Sequence, residues 1–319
     1  MDFKKIAKEV LEIEAKEIIG CIDRLDNATL GQIVESIHSS KKLVILGVGK
    51  SGLIGAKIAA TLSSTGTPSI FIHPTEAMHG DLGMIAKGDV ALVISYSGES
   101  EELINLMPHL KNMCSKIITM TRSIKSSISS FGDYFIDISI SKEACPLNIA
   151  PTSSTTLTLA LGDALAVCLM KKRNFKEKDF AVFHPGGSLG KRLFVKIKDL
   201  MQKENLPIIS KDISMQEAII KITNGKLGCV IIEENNKPIG ILSDGDLRRA
   251  IMQSDFNLNN KALIYASQNP KICNDENTLA YEVLKIIENA KIQALIITDK
   301  DRNIKGLVHL HKLIEAGIK

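Results

Sequence analysis

Apolar side chains recur at helical spacing through residues 3–39, first Ile6, Val10 and Ile13 and then Ile18, Ile22 and Leu25, which predicts two helices ahead of any strand. The pattern then shortens. Apolar runs at 42–46, 69–73, 90–95, 116–120 and 134–138 read as strands, each followed by a stretch of helical spacing. Five short strands joined by helical crossovers predict an α/β domain built on a doubly wound, mostly parallel sheet covered on both faces. Residues 155–172 are apolar nearly all round, so this helix is expected to be buried in its own domain or against another subunit.

Past residue 195 a repeat appears. Gly240-Ile-Leu-Ser-Asp-Gly-Asp-Leu-Arg-Arg-Ala250 aligns with Gly306-Leu-Val-His-Leu-His-Lys-Leu-Ile-Glu-Ala316, and a strand precedes each glycine, at 228–232 and 294–298. Two β-α-β-β-α copies predict a paired α+β module. The repeat resembles a tandem CBS pair, which implies clefts that bind adenosine nucleotides. In the first copy Ser243 and Asp246 match the positions where that family holds ribose and phosphate; in the second copy these become His309 and Lys312. A dimerisation module without a ligand explains the repeat equally well.

Composition excludes more than it selects. With 319 residues and 45% apolar content the chain can build more than one core. Its formal charge of +4, from 40 basic and 36 acidic residues, is not gathered into blocks, so no nucleic-acid partner is expected. The six cysteines form no Cys-x-x-Cys pair and several lie in apolar runs such as Ala166-Val167-Cys168-Leu169, which reads as reduced core thiols in a cytoplasmic protein. The N-terminus leads into an amphipathic helix and no run approaches the length of a membrane span, so neither export nor membrane attachment is expected.

The chemistry begins at Val44-Ile-Leu-Gly-Val-Gly-Lys-Ser-Gly52. A nucleotide P-loop would need glycine where Val44 stands. Gly47, Gly49 and Gly52 do fit the dinucleotide spacing, but the second strand ends in Ile72-His73-Pro74 with Glu76 as the only acid nearby. A third reading uses backbone amides and a helix start to hold a phosphate, helped by hydroxyls. Three hydroxyl clusters lie after strands or before helices: Ser51; Ser95, Ser97 and Ser100; and Thr152, Ser153 and Ser154 with Thr155 and Thr156. Each alone could be a helix cap, whereas together they favour a phosphate pocket.

Residues 1–195 resemble the SIS (sugar isomerase) domain, and with 196–257 and 258–319 as two CBS domains the whole chain resembles the arabinose-5-phosphate isomerases of the KpsF/GutQ type. The resemblance rests on the glycine loop, His73-Pro-Thr-Glu-Ala-Met-His-Gly-Asp-Leu-Gly83, Ser95-Tyr-Ser-Gly98, Glu143-Ala-Cys-Pro-Leu-Asn-Ile-Ala-Pro-Thr-Ser-Ser-Thr155 and His184-Pro-Gly-Gly-Ser-Leu-Gly190. It implies interconversion of ribulose 5-phosphate and arabinose 5-phosphate, supplying Kdo for lipopolysaccharide or capsule, by a cytoplasmic homotetramer. A nucleotide or CMP-Kdo would be the regulator, if the CBS pair has one.

Such an isomerisation moves a proton between C1 and C2, most simply through an enediol, and needs a base, an oxyanion stabiliser and a phosphate anchor. By resemblance Lys50 stabilises the enediolate, Glu143 is the first choice for the base with Glu102 as the alternative, and His184 opens the sugar ring. His79 and Asp81 are expected to contact sugar hydroxyls or, with His184, to form an adventitious metal site. The seven histidines are scattered with no His-x-x-x-His pair, and an enediol route requires neither metal nor cofactor. Two rival readings share the phosphate loops: a different SIS isomerase, such as one acting on phosphohexuloses, and a sugar-phosphate sensor without turnover. Retention of two carboxylates, Lys50 and His184 favours an enzyme.

Overall fold

Asp2 and Asp26 each accept a hydrogen bond from the backbone amide three residues ahead, on Lys5 and Thr29, and so cap the two helices that open the chain, α1 (Phe3–Gly20) and α2 (Asn27–Ser39). The computed structural model describes residues 1–319, which divide into two units, Met1–Phe183 and His184–Lys319.

In the first unit the chain continues through β1 (Leu43–Gly47), α3 (Gly49–Ser64), β2 (Ser69–Ile72), α4 (Pro74–Met78), β3 (Val90–Ile94), α5 (Glu101–Met113), β4 (Lys116–Thr121), β5 (Tyr134–Asp137), α6 (Ser153–Arg173) and α7 (Glu177–Phe183). The strands form one sheet in the order β2-β1-β3-β4-β5, and every neighbouring pair is parallel. Central strands buried on both faces must be apolar at every position, which is why β1 and β3 read as unbroken runs.

Alternation sorts their side chains between two cores. Leu43, Ile45, Leu92 and Ile94 pack with Ile33, Ile58 and Leu157 from α2, α3 and α6. Val44, Leu46, Ala91 and Val93 face the other way, onto Ala77 of α4 and Leu103 and Met107 of α5. From β1 the chain goes to β2 on one side and then crosses to β3 on the other, so the sheet has a topological switch point between β1 and β3. A crevice opens there at the carboxyl ends of the strands, where sheets of this kind place ligands.

The long helix α6 starts at Ser153, two residues earlier than its apolar pattern indicates, and only one side of it is buried. Leu157, Leu161, Leu165 and Leu169 enter the core, and Gly162 lets the helix approach α3 so closely that a Cβ there would stand 2.4 Å from Ile58. Val167 and Cys168 point outward, so Cys168 is an exposed thiol and not the core residue its sequence setting predicts. By length and composition α6 is apolar enough to cross a membrane, yet half of that window is buried inside the unit.

The second unit runs through α8 (Ser188–Phe194), β6 (Ile208–Ser210), α9 (Met215–Gly225), β7 (Cys229–Glu234), β8 (Lys237–Ser243), α10 (Asp244–Ile251), β9 (Ser267–Gln268), β10 (Ile272–Cys273), α11 (Ala280–Ala290), β11 (Ala294–Thr298), β12 (Ile304–His309) and α12 (Leu310–Glu315). The repeat read from sequence is present. Each copy contributes a parallel strand pair followed by an antiparallel one, in sheets ordered β6-β7-β8-β9 and β10-β11-β12. Cys229 and Ile231 of one copy share a core with Ala294, Ile296 and Leu307 of the other. Helix α8 packs within this unit, with the Arg192 guanidinium 4.1 Å from the centre of the Tyr281 ring.

Candidate active site

The switch-point crevice holds a polar cleft of about 550 Å³ bordered by the start of α3, the loop after β3, the end of β4 and the loop before α6. Local packing explains the first wall. A Cβ on Gly52 would lie 2.7 Å from the Gly47 carbonyl oxygen, so glycine lets α3 begin directly on the end of β1. Gly49 turns the chain at φ 56°, and Val48, the N-cap residue, offers no side-chain acceptor. The first amides of α3 are therefore left as donors beside Lys50 and Ser51, which both border the cleft. Lys50 is exposed and makes no ion pair.

The second wall is the serine loop. The Ser95 and Ser100 hydroxyls lie 3.0 Å apart, and the Gly98 amide donates to the Ser95 carbonyl at 3.1 Å. Gly98 has φ 74° and a Cβ there would come within 2.2 Å of Ser126 Oγ, so the turn requires glycine. Ser97 is exposed and accepts from the Glu99 amide. Ser95, Ser97 and Ser100 all border the cleft.

The third wall carries Glu143. Its Oε2 accepts from the Thr152 amide at 2.8 Å, the Thr152 hydroxyl at 3.0 Å and the Ser154 amide at 3.2 Å, while Oε1 accepts from the Ser154 hydroxyl. Burial pushes this carboxyl upward, but the Ser154 and Thr152 donors outweigh it and hold the group below the usual carboxylate range. The carboxylate thus caps α6 from outside the helix. Its own amide donates to Asn148 Oδ1 at 2.7 Å, and Asn148 sits in the left-handed region at φ 52°. The loop is also fixed from the N-terminal side: buried Glu17 of α1 accepts from the Ser141 amide at 2.9 Å and from its hydroxyl, and Glu14 accepts from Thr156.

The structure brings together Lys50, Ser51, Ser95, Ser97, Ser100, Glu143 and Ser154 around one cleft. Thr152 reaches it through Glu143, and Ser153 is fully buried with no partner for its hydroxyl. Glu102, on the first turn of α5, is exposed, makes no hydrogen bond and does not border the cleft. His79 ends α4 as an exposed residue away from the lining, and Asp81, which begins the short turn after it, is likewise exposed and outside the lining. His184 opens the second unit, ahead of α8, where the Gly187 amide donates to its carbonyl. Arg122, Lys142 and Asn148 also border the cleft; Arg122 and Lys142 fall outside the sequence motifs, and Asn148 lies within the 143–155 run but has no role assigned from sequence. The position of Arg122 at the carboxyl end of a parallel strand was the available signal. No group of three His, Cys, Asp or Glu side chains is placed to hold a metal.

In the second unit Ser243 and Asp246 lie along a separate cleft of about 620 Å³. They form a capping box at the start of α10: Ser243 Oγ accepts from the Asp246 amide, and Asp246 Oδ2 accepts from the Ser243 amide at 2.9 Å and its hydroxyl at 2.6 Å. Asp246 Oδ1 accepts from Ser267 and Arg249. Their polar atoms are answered within the protein, so the ligand contacts expected of them compete with a formed cap. His309, the counterpart of Ser243 in the second copy, ends β12 and caps α12, and His311 stacks on it from that helix, with ring centres 5.4 Å apart.

The SIS domain family matches residues 36–168 and the CBS domain family matches 197–253 and 264–319. A Helicobacter pylori protein is 48% identical over 100% of this chain and 98% of its own length. The arabinose 5-phosphate isomerase KdsD of Yersinia pestis is 42% identical over 100% of this chain and 97% of its own. Among solved structures, an Escherichia coli CFT073 protein in complex with arabinose 5-phosphate is 42% identical with a TM-score of 0.55, covering 58% of this chain and 98% of that one.

Proposed function

Because the chain belongs to the arabinose 5-phosphate isomerase family, in which an SIS domain is joined to a CBS pair, we propose that it interconverts D-ribulose 5-phosphate and D-arabinose 5-phosphate. The observation that carries the reading is the convergence of Lys50, the serine loop and the Glu143 loop on one cleft at the switch point of the sheet. The phosphate rests on Ser51, Ser95, Ser97 and Ser100 and on the amides from Gly49 onward. A fixed phosphate turns the proton transfer into an event between positioned groups.

The proton lost from C1 of the ketose returns at C2, so the reaction is balanced within the substrate and consumes no cofactor. Lys50 stabilises the enediolate oxygens. Of the two carboxylates, Glu143 already accepts from four donors, which occupy both of its oxygens. We therefore assign the transfer to Glu102, whose oxygens are unbonded and which must turn into the cleft from the first turn of α5 when substrate is bound, and give Glu143 the task of shaping the loop. His184 opens the furanose of the aldose, a step suited to imidazole near neutral pH, and His79 contacts sugar hydroxyls.

On the same reading residues 1–195 do the chemistry, and the CBS domains at 196–257 and 258–319 take a nucleotide or CMP-Kdo as regulator. The protein acts in the cytoplasm as a homotetramer, and its product supplies Kdo for lipopolysaccharide or capsule.

Proton NMR of the protein with ribulose 5-phosphate in deuterated water tests the assignment. Arabinose 5-phosphate is expected to accumulate with deuterium at the exchanged carbon. Glu102→Gln should abolish exchange, whereas Glu143→Gln should slow it. Bound phosphosugar with neither exchange nor product would make the chain a sensor.

A further inference from the structure

We propose that Arg122 is the phosphate-recognising cation of the cleft and sets its preference for phosphorylated over neutral sugars. This rests on the reading that the cleft takes a phosphosugar. β4 ends at Thr121 beside β3, so Arg122 leaves the sheet at its carboxyl edge, next to the serine loop. Two contacts tie it to that loop. Its backbone amide donates to the Tyr96 carbonyl at 3.0 Å, and its guanidinium lies 5.8 Å from the centre of the Tyr96 ring.

Two of the other arginines hold carboxylates, Arg24 with Asp137 at 3.0 Å and Arg249 with Asp246, while Arg192 lies over the Tyr281 ring and Arg248 donates to the Asp244 carbonyl. Arg122 is exposed, borders the cleft and pairs with none, so its donors face a site lined by hydroxyls.

Charge supports the same assignment. The ionised side chains bordering the cleft are Lys50, Arg122, Lys142 and Glu143, three cations against one carboxylate, and that carboxylate is neutralised by the start of α6. The excess suits a phosphate monoester, which carries most of two negative charges near neutral pH. Among the three cations Arg122 alone is bonded to the serine loop, and its planar fork can take two phosphate oxygens at once, which an ammonium cannot. The competing role for Arg122 is to stack on Tyr96 and nothing more.

Binding of inorganic phosphate and of arabinose 5-phosphate to the full chain, measured by isothermal titration, separates the two roles. Arg122→Met keeps the apolar stem over Tyr96 and removes the fork; it is expected to weaken both ligands about 10- to 100-fold, with KM rising more than kcat falls and the melting temperature held. Arg122→Lys should fall between. Arg122→Gln supplies a second neutral variant should the methionine protein not fold. Wild-type phosphate affinity in either folded neutral variant overturns the proposal, as does a loss confined to kcat. A wild-type protein that binds phosphate through Arg122 but turns over no ribulose 5-phosphate would remove the isomerase reading and leave this one standing.

Discussion

Glu143 takes hydrogen bonds from the amides and hydroxyls of Thr152 and Ser154, so its charge is solvated by the start of its own helix. Its folded-state pKa lies below the value near 4.3 of an unfolded glutamate. The stabilisation is complete above that value and is lost as pH falls through the folded one. Glu143→Gln should therefore cost about 1–3 kcal/mol at neutral pH and less in acid; denaturant melts from pH 7 to pH 3 check this, and a pH-independent difference would contradict it. The hydroxyl residues of the cleft were legible because Ser and Thr cluster after strands. Arg122 was not, since it depends on which strands are neighbours, and Asn148 was visible only as part of the 143–155 run, since its role depends on a left-handed turn; neither leaves a periodic trace.

At the scale of elements, α1 acts as a brace. Glu17 is 7% exposed and holds Ser141, while Glu14 holds Thr156, so one helix grips the Glu143 loop on one side and α6 on the other. Burial works against the Glu17 charge and the Ser141 donors outweigh it, which keeps the carboxyl below its ordinary range. Glu17→Ala leaves the Ser141 donors without their partner and should cost about 1–3 kcal/mol. It should also lower kcat through the displaced loop, and Glu17→Gln should restore part of both; unchanged kinetics in a destabilised Ala variant would limit the helix to a packing role. Helical spacing revealed α1 and α2, and the apolar runs revealed every strand of the five-stranded sheet. Strand order stayed hidden because it is decided by helix packing on the two faces. The one-sided burial of α6 stayed hidden because exposed Val167 and Cys168 look like core residues in sequence.

For the molecule as a whole, each unit has its own cores, and the short helix α8 belongs with the second. A fragment of residues 1–183 is expected to fold alone, since its own helices cover both faces of its sheet; a single cooperative thermal transition by circular dichroism would bear this out, and persistent aggregation would count against it. That fragment lacks His184. If ring opening is the task of this imidazole, exchange at C1 of the open-chain ketose persists in the fragment while consumption of the cyclic aldose slows.

Three helices, α3, α5 and α6, begin at the cleft, and they differ in how their first amides are answered. α6 is met by Glu143, whereas α3 and α5 start from Val48 and Ser100 without a side-chain acceptor. The protein has thus supplied one internal anion and left two helix starts flanking the switch point with their positive ends open. An arriving phosphate would meet two unfinished caps and, on the third side, a helix start already filled by a carboxylate, so the same arrangement that attracts the charged end of a substrate also decides which way round it enters.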